Sequence, residues 1–333
     1  MDNNFLLGCD WGTSSFRLRL YGIDRQIVIG EIDTGDGVAI THKAWEEANE
    51  KEPVSRERFF RRSLSRQTDE LARKLSKDLS GIPVLISGMA SSTIGMQVIP
   101  YAELPFSLDG SDAVTRLIGR DGEFPHDILL VSGVRSMNDV MRGEETQVLG
   151  LISLLERERK RPRKAIILIP GTHCKHIYIE EGAMVSFQTF MTGEMYSLLG
   201  HHSILRDSVD IVPFNHMNDQ DIDAFRKGVR LSLGRGFLNA LFSVRTNHLF
   251  DVLDKRQNSF YLSGLLIGSE LQSLLDDEEL PVILCSGSNL HDHYKLALDT
   301  LGLLDRTMIL SNEMTEKATA AGQLLLRTKT MGG

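Results

Sequence analysis

One strand–turn–strand unit occurs twice in this sequence, and that constrains the fold more than any other feature. Phe5 to Cys9 is a short apolar run, and Asp10-Trp11-Gly12-Thr13-Ser14-Ser15 reads as a polar turn. Phe16, Leu18 and Leu20 then alternate with Arg17, Arg19 and Tyr21, the period of a half-buried strand. A third strand is expected at Ile27 to Ile32. Ala165 to Ile169 repeats the apolar run, Pro170-Gly171-Thr172-His173-Cys174-Lys175 the turn, and His176 to Ile179 the second strand. Gly12-Thr13 and Gly171-Thr172 therefore hold the same place in two units 159 residues apart, each followed by helix-rich sequence.

The remaining pattern fits two similar α/β halves. Residues 55–79 predict a long exposed helix. Pro83 to Ser87 and Asp127 to Ser132 predict buried strands ending in Gly88-Met89 and Gly133. A helix is expected to begin between Asn138 and Gly143 and to run to about Lys160. Residues 219–250 and 258–277 read as helical, Pro281 to Cys285 as a strand, Ser286-Gly287-Ser288 as a turn and Asp292 to Leu301 as a helix. Thr315 to Arg327 predicts a final helix with Ala318, Ala321, Gly322 and Leu325 on one face. Strands ending in glycine turns and alternating with helices give an α/β fold. Two similar halves predict two lobes around an interdomain cleft, a favoured place for a ligand. The division is expected at residues 1–160 and 161–333, with the final helix, 315–328, packing back on the first lobe. Six basic residues between Arg157 and Lys164 read as a solvated linker, with an anion patch as the other reading.

Composition excludes several classes. The 333 residues suffice for about two domains at ~150 residues each. Lys plus Arg number 37 and Asp plus Glu 45, a net charge of −8, which argues against a generally basic nucleic-acid binder. A hydrophobic content of 41% excludes a disordered acidic chain. Cys9, Cys174 and Cys285 are far apart and none lies in a CxxC, so neither disulfides nor a cysteine zinc site is expected. No apolar run approaches the ~20 residues of a membrane span, and Met1-Asp2-Asn3-Asn4 has no basic leader region. The expectation is a cytoplasmic protein without a membrane or nucleic-acid partner.

Three stretches carry chemistry. In the first turn, Gly12 lets the backbone approach a ligand, and successive amides with the Thr13 and Ser14 hydroxyls form an anion nest. Asp10 at the strand end can orient Mg²⁺, whose hard charge prefers carboxylate and phosphate oxygens. A tight hairpin using glycine and hydroxyls for its geometry accounts for the same residues. The second turn, Gly171-Thr172-His173-Cys174-Lys175, adds two side chains able to carry positive charge, but Ile169 stands where Asp10 would be. The third stretch is Val140-Met141-Arg142-Gly143-Glu144-Glu145-Thr146-Gln147. At helical spacing Met141, Val148, Ile152 and Leu155 share one stripe, with Glu145 inside it and Glu144 on its edge. A carboxylate buried there needs a partner or a proton-transfer task, although two glutamates also favour a helix N-terminus. Adjacent His201 and His202 do not face each other on a helix, so they make no metal pair. GxxxxGK[ST], GxGxxG after the first strand and GxSxG are all absent.

Together the two phosphate-type turns and Ser286-Gly287-Ser288 resemble the actin, hexokinase and heat-shock ATPase superfamily. More closely, the chain resembles the 2-dehydro-3-deoxygalactonokinase family. The stretches that carry this are Asp10 to Thr13, Ser87 to Met89, Val98 to Tyr101, Val140 to Gln147, Pro170 to Lys175, Met191 to Glu194, His202 to Leu205 and Leu262 to Glu270. The resemblance implies two ribonuclease-H-like lobes, an actin-like ATPase fold, around an ATP cleft. It implies ATP- and Mg²⁺-dependent phosphorylation of the 6-hydroxyl of 2-dehydro-3-deoxy-D-galactonate, a step of galactonate catabolism. Carried over by motif, Gly12, Thr13, Ser14, Gly171, Thr172, His173, Ser286, Gly287 and Ser288 become candidates for ATP, and Asp10 for the metal. Gly88, Met89, Tyr101, Arg142 and Glu194 become candidates for the sugar acid, with Gly193 on the same side. Asp10, Glu144 and Glu145 are the contenders for catalytic base. Arg142 and Lys175 are expected to point inward and pair with a carboxylate or the transferring phosphoryl group. The family usually has a hydrophobic residue and Gly-Ser after the position of Met89, whereas this chain has Ala90-Ser91-Ser92, and 33–60 matches little of it. A kinase for another sugar or sugar acid, or a non-catalytic actin-like ATP-binding protein, is the alternative, and a homodimer is left open.

Overall fold

Apolar alternation builds the first hairpin: β1 (Phe5–Trp11) pairs antiparallel with β2 (Phe16–Gly22), from Phe5 opposite Gly22 to Trp11 opposite Phe16. Asp10 and Trp11 thus belong to the strand, and only Gly12 to Ser15 turn. The computed structural model describes residues 4–24, 27–211, 216–234, 236–276 and 279–331. The start of the chain at Met1 to Asn3, Arg235 within the 219–250 helical stretch, and Asp277 at the end of 258–277 lie outside the described residues. The chain forms two compact units, one of Met1–Arg161, Gly182–Ser186 and Glu316–Gly333, the other of Pro162–Glu181 and Phe187–Thr315.

In the first unit β3 (Ile27–Thr34) continues the hairpin on its outer side. Two helices follow, α1 (Val38–Lys51) and α2 (Arg56–Leu75). Ser55 caps α2 by accepting the Arg58 amide at 3.3 Å, and Ser76 closes it in the left-handed region at φ 49°. Helix α2 is less exposed than its charge suggests, because Phe60, Leu64 and Leu71 are fully buried with Trp11 and Phe16 in one core. β4 (Val84–Gly88) runs parallel to β1, and the short β5 (Ala102–Glu103) and β6 (Phe106–Ser107) follow. β7 (Thr115–Ile118) and β8 (Ile128–Val131) complete a six-stranded sheet of order β3-β2-β1-β4-β8-β7, in which β1, β4 and β8 are parallel. Central β1 and β4 are buried on both faces and read as near-continuous apolar runs for that reason. β9 (Val134–Arg135) and β10 (Val140–Met141) form a small sheet with β5 and lead into α3 (Glu144–Arg157).

In the second unit β11 (Lys164–Ile169) and β12 (Cys174–Glu180) form the second hairpin, with Ile169 opposite Lys175. Cys174 and Lys175 are therefore strand residues, and the turn is shorter than expected. β13 (Ala183–Phe190) begins in the first unit and ends in the second. It is followed by α4 (Thr192–His202), α5 (Asp219–Ser232), α6 (Phe237–Leu249) and α7 (Lys255–Leu271). β14 (Val282–Leu284), α8 (Ser288–Thr300) and β15 (Thr307–Ile309) close the unit. The strand order β15-β14-β11-β12-β13 is that of β8-β4-β1-β2-β3 in the first unit, with the same parallel pairs in the centre. Ser288 already belongs to α8, so the Ser286 turn ends one residue earlier than expected.

α9 (Asn312–Met331) enters the first unit from Glu316 on. There Ala318 and Gly322 are buried against α3, while Ala321 and Leu325 are half-buried. A side chain at Gly322 would overlap the Thr146 carbonyl, and one at Gly150 the Ala318 carbonyl, so small residues on both helices allow the close crossing. The three cysteines are buried and reduced. Cations of the basic stretch pair with nearby acids: Lys160 with Glu158 at 2.8 Å, Arg161 with Glu156 at 3.2 Å, Arg163 with Glu181 at 2.9 Å, and Lys164 with Glu180.

Candidate active site

In open α/β sheets ligands bind outside the carboxyl ends of parallel strands, and the first unit places its candidate residues there. Asp10 lies near the end of β1, half-buried, and its carboxylate makes no hydrogen bond to a described residue. Burial raises its carboxyl pKa, while the charges of Arg17 and Arg19 pull the other way. The adjoining turn is braced by α1: the amides of Val38 and Ala39 donate to the carbonyls of Gly12 and Thr13 at 2.9 and 3.0 Å. A side chain at Gly37 would overlap the Thr13 carbonyl, so the helix start can lie on the turn only because that residue is glycine. Thr13 and Ser14 remain exposed.

At the end of β4, Gly88 adopts φ +92°, and a Cβ there would fall 2.7 Å from the Trp11 carbonyl. Met89 begins the 3₁₀ turn of Met89–Ser91. Beside it stands Arg142, half-buried, with Nη1 donating to Ser91 Oγ at 2.5 Å and Nη2 to the Ile99 carbonyl at 3.3 Å. Nη1 also lies 3.5 Å from Ser132 Oγ, and the guanidinium stacks over the Tyr101 ring 3.9 Å from its centroid. Its Nε is buried without a hydrogen-bond partner among the described residues. The loop that carries it is tied down by the next two side chains. Glu144 accepts the Arg142 amide at 3.0 Å, and Glu145 the Gly143 amide at 2.7 Å. Glu145 also accepts the Thr146 hydroxyl at 2.9 Å and is 1% exposed. Burial pushes its pKa up to about 7, and the neighbouring Glu144 charge adds to the rise.

The second unit holds a cavity of about 390 Å³, within the range of small-ligand sites. Gly171 and Thr172 border it, with Thr192 and Gly193 from the start of α4 and Gly287 from the start of α8. Leu266, Ile267 and Leu290 give it apolar walls. Two helix N-termini and a glycine turn thus border one pocket, an arrangement suited to an anion. Gly193 can lie on the turn because it lacks a side chain: a Cβ would fall 2.5 Å from the Gly171 carbonyl. The Glu194 amide donates to the Thr172 carbonyl at 3.0 Å.

Other expected residues lie outside the cavity lining. His173 Nε2 and Glu194 Oε2 are 2.6 Å apart, both partly exposed, so within the second unit Glu194 is tied to the second glycine turn. Lys175 is buried within β12. Ser286 is 1% exposed and its hydroxyl turns to the Gly287 carbonyl at 3.0 Å, while Ser288 is exposed at the first turn of α8. Among the described residues no group of three or more His, Cys, Asp or Glu is arranged to hold a metal, and no helix is long and apolar enough to cross a membrane. Sequence reasoning missed Ser91 and Ser132 as partners of Arg142. Ser91 sits in the Ala90-Ser91-Ser92 departure, which was the available signal.

Comparison with known proteins bears on these arrangements. The sequence profile of the family described as 2-keto-3-deoxy-galactonokinase matches residues 10–324. The 2-dehydro-3-deoxygalactonokinase of Escherichia coli strain K12 is 28% identical over 303 residues, 89% of this chain and 90% of that protein. A crystal structure of a Sinorhizobium meliloti protein assigned as a 2-dehydro-3-deoxygalactonokinase matches with a TM-score of 0.74 at 26% identity, covering 96% of this chain and 95% of that one. An activator of the 2-hydroxyisocaproyl-CoA dehydratase from Clostridium difficile, solved with bound ADPNP, matches with a TM-score of 0.50 at 10% identity, covering 98% and 96%, and shares the fold.

Proposed function

Because this chain belongs to the 2-keto-3-deoxy-galactonokinase family, we propose that it transfers the γ-phosphoryl group of ATP to the 6-hydroxyl of 2-dehydro-3-deoxy-D-galactonate. Arg142 is the observation that supports the acceptor side. Among the described residues its half-buried guanidinium keeps an unpartnered Nε and is held by hydroxyls, a carbonyl and an aromatic ring rather than by a carboxylate. Such a group favours an anion, and a sugar-acid carboxylate matches its planar fork. Gly88, Met89 and Tyr101 stand beside it and would shape the sugar subsite.

The three carboxylate contenders separate by environment. The Asp10 carboxylate makes no hydrogen bond to a described residue, and its raised pKa would be offset by a cation. A single hard oxygen ligand is what Mg²⁺ needs when phosphates and water complete its shell. We assign Asp10 to the metal, which would neutralise charge developing on the phosphates. Glu145 is enclosed, with both oxygens engaged, so its task is to hold the Arg142 loop. Glu144 is half-buried and is our candidate to accept the hydroxyl proton as oxygen attacks phosphorus and ADP leaves. On the donor side, the cavity bordered by Gly171, Thr172 and Gly287 is our candidate for ATP, with the phosphates at the glycine turn. Gly12, Thr13 and Ser14 would hold phosphate oxygens next to the metal.

An ADP-coupled assay tests this reading. Saturable ADP release that needs ATP, Mg²⁺ and 2-dehydro-3-deoxy-D-galactonate together is expected. No release with any 2-keto-3-deoxy sugar acid would overturn it.

A further inference from the structure

The second unit buries a carboxylate that the proposed chemistry does not use. Glu270 on α7 is 3% exposed, yet it is bonded to three other elements. Oε1 lies 3.1 Å from Nε2 of His176, a fully buried residue of β12. Oε2 accepts the Tyr294 hydroxyl of α8 at 2.8 Å, and also the hydroxyl of Thr192, the first residue of α4. His176 Nδ1 is held in turn by Ser273 Oγ at 3.3 Å.

Two routes lead from this carboxylate to the glycine turn. Along the first, the Tyr294 oxygen meets Cys174 Sγ at 3.0 Å, and that sulfur lies 3.5 Å from the Gly171 amide nitrogen and 3.4 Å from its carbonyl oxygen. Along the second, Thr192 starts the helix whose next residue, Gly193, lies against Gly171 and Thr172. Thr192, Tyr294, Gly171 and Gly193 all border the cavity, whereas Glu270 does not. Burying a carboxylate is costly, and apolar residues of similar volume hold helices together at least as well. What a carboxylate adds is direction: it accepts several donors at fixed angles and so fixes the elements that carry them. Both routes end on the backbone that borders the cavity at its glycine turn.

We infer that Glu270 is a positioning residue for phosphate binding. It holds the start of α4 and the Gly171–Thr172 turn in the arrangement that presents their amides to the donor's phosphates. This rests on the nucleotide reading of the cavity. Because Glu270 acts on the phosphate end alone, its loss separates phosphate binding from binding of the nucleoside.

The test compares the full chain with Glu270→Gln, Tyr294→Phe and Thr192→Val variants, measuring Kd for ADP and for adenosine by calorimetry, with Tm alongside. Glu270→Gln is expected to weaken ADP by ~10-fold or more, the size of a lost charge-assisted hydrogen bond, and to leave adenosine unchanged. Tyr294→Phe and Thr192→Val, each cutting one route, are expected to give smaller losses in the same direction, and they carry the test if Glu270→Gln does not fold. Folded variants with lower Tm but an unchanged ADP-to-adenosine ratio would show a merely structural role and overturn the inference while the nucleotide reading stands. A parent protein that binds ADP no better than adenosine would overturn the nucleotide reading and this inference with it.

Discussion

Replacing Glu145 by glutamine should stabilise the first unit, and more so as pH rises. The carboxyl is 1% exposed and burial lifts its pKa from 4.5 to about 7. Well below pH 4.5 both folded and unfolded chains hold the proton, and the residue has no pH-linked effect. As pH rises past 4.5 the unfolded chain ionises first, so folding loses stability until the folded carboxyl ionises as well, near 7. The full loss is about 3 kcal/mol, of which about 2 kcal/mol falls between about pH 5.5 and 8.5. The Glu145→Gln side chain carries no charge to bury. Its amide oxygen can accept the Gly143 amide and its NH₂ can donate to the Thr146 hydroxyl, so both local bonds have a replacement. Urea unfolding followed by tryptophan fluorescence reads this directly, because both tryptophans, Trp11 and Trp45, lie in the same unit as Glu145. The stability gap between variant and parent should widen by about 2 kcal/mol over that pH interval. A gap that stays constant with pH would refute the assignment of a burial-raised carboxyl.

Other substitutions test the neighbouring assignments. Glu144→Gln should lower kcat by ~10²–10⁴ and remove the acidic limb of the pH–rate profile, and a normal profile would deny it the proton-accepting role. Arg142→Ala should raise KM for the sugar acid by ~10–100-fold with little change for ATP, as read from initial rates with each substrate varied. Gly322→Val, which would press a side chain on the Thr146 carbonyl, should cost about 1–3 kcal/mol in the same urea titration by parting α9 from α3.

Much of this architecture was legible because burial writes a period into the chain. The hairpins β1–β2 and β11–β12 announced themselves by apolar runs flanking glycine turns, and Glu145 by its place inside an apolar stripe. The limits of the turns were not legible, since Asp10, Trp11, Cys174 and Lys175 extend the strands with residues that also suit turns. Helix α1 escaped because only Val38 and Thr41 of its 14 residues are buried, which leaves no apolar period to read. The two-residue strands β5, β6, β9 and β10 are too short to carry a pattern. The side chains that seat Arg142 come from loops distant in sequence, and Ser91 showed itself only as a departure from a family pattern. Glu270 was more accessible: it lies in a helix buried almost all round from Asn258 to Leu271, and the argument applied to Glu145 applies to it equally.

The central claim is a transfer of phosphate to one defined hydroxyl, and the most direct measurement follows both products of a single reaction. With ATP, Mg²⁺ and 2-dehydro-3-deoxy-D-galactonate, phosphorus and proton NMR should show one ADP formed for each sugar phosphate ester, with the new phosphorus coupled to the protons on carbon 6. Release of ADP with free phosphate and no ester, or an ester at another carbon, would contradict the account.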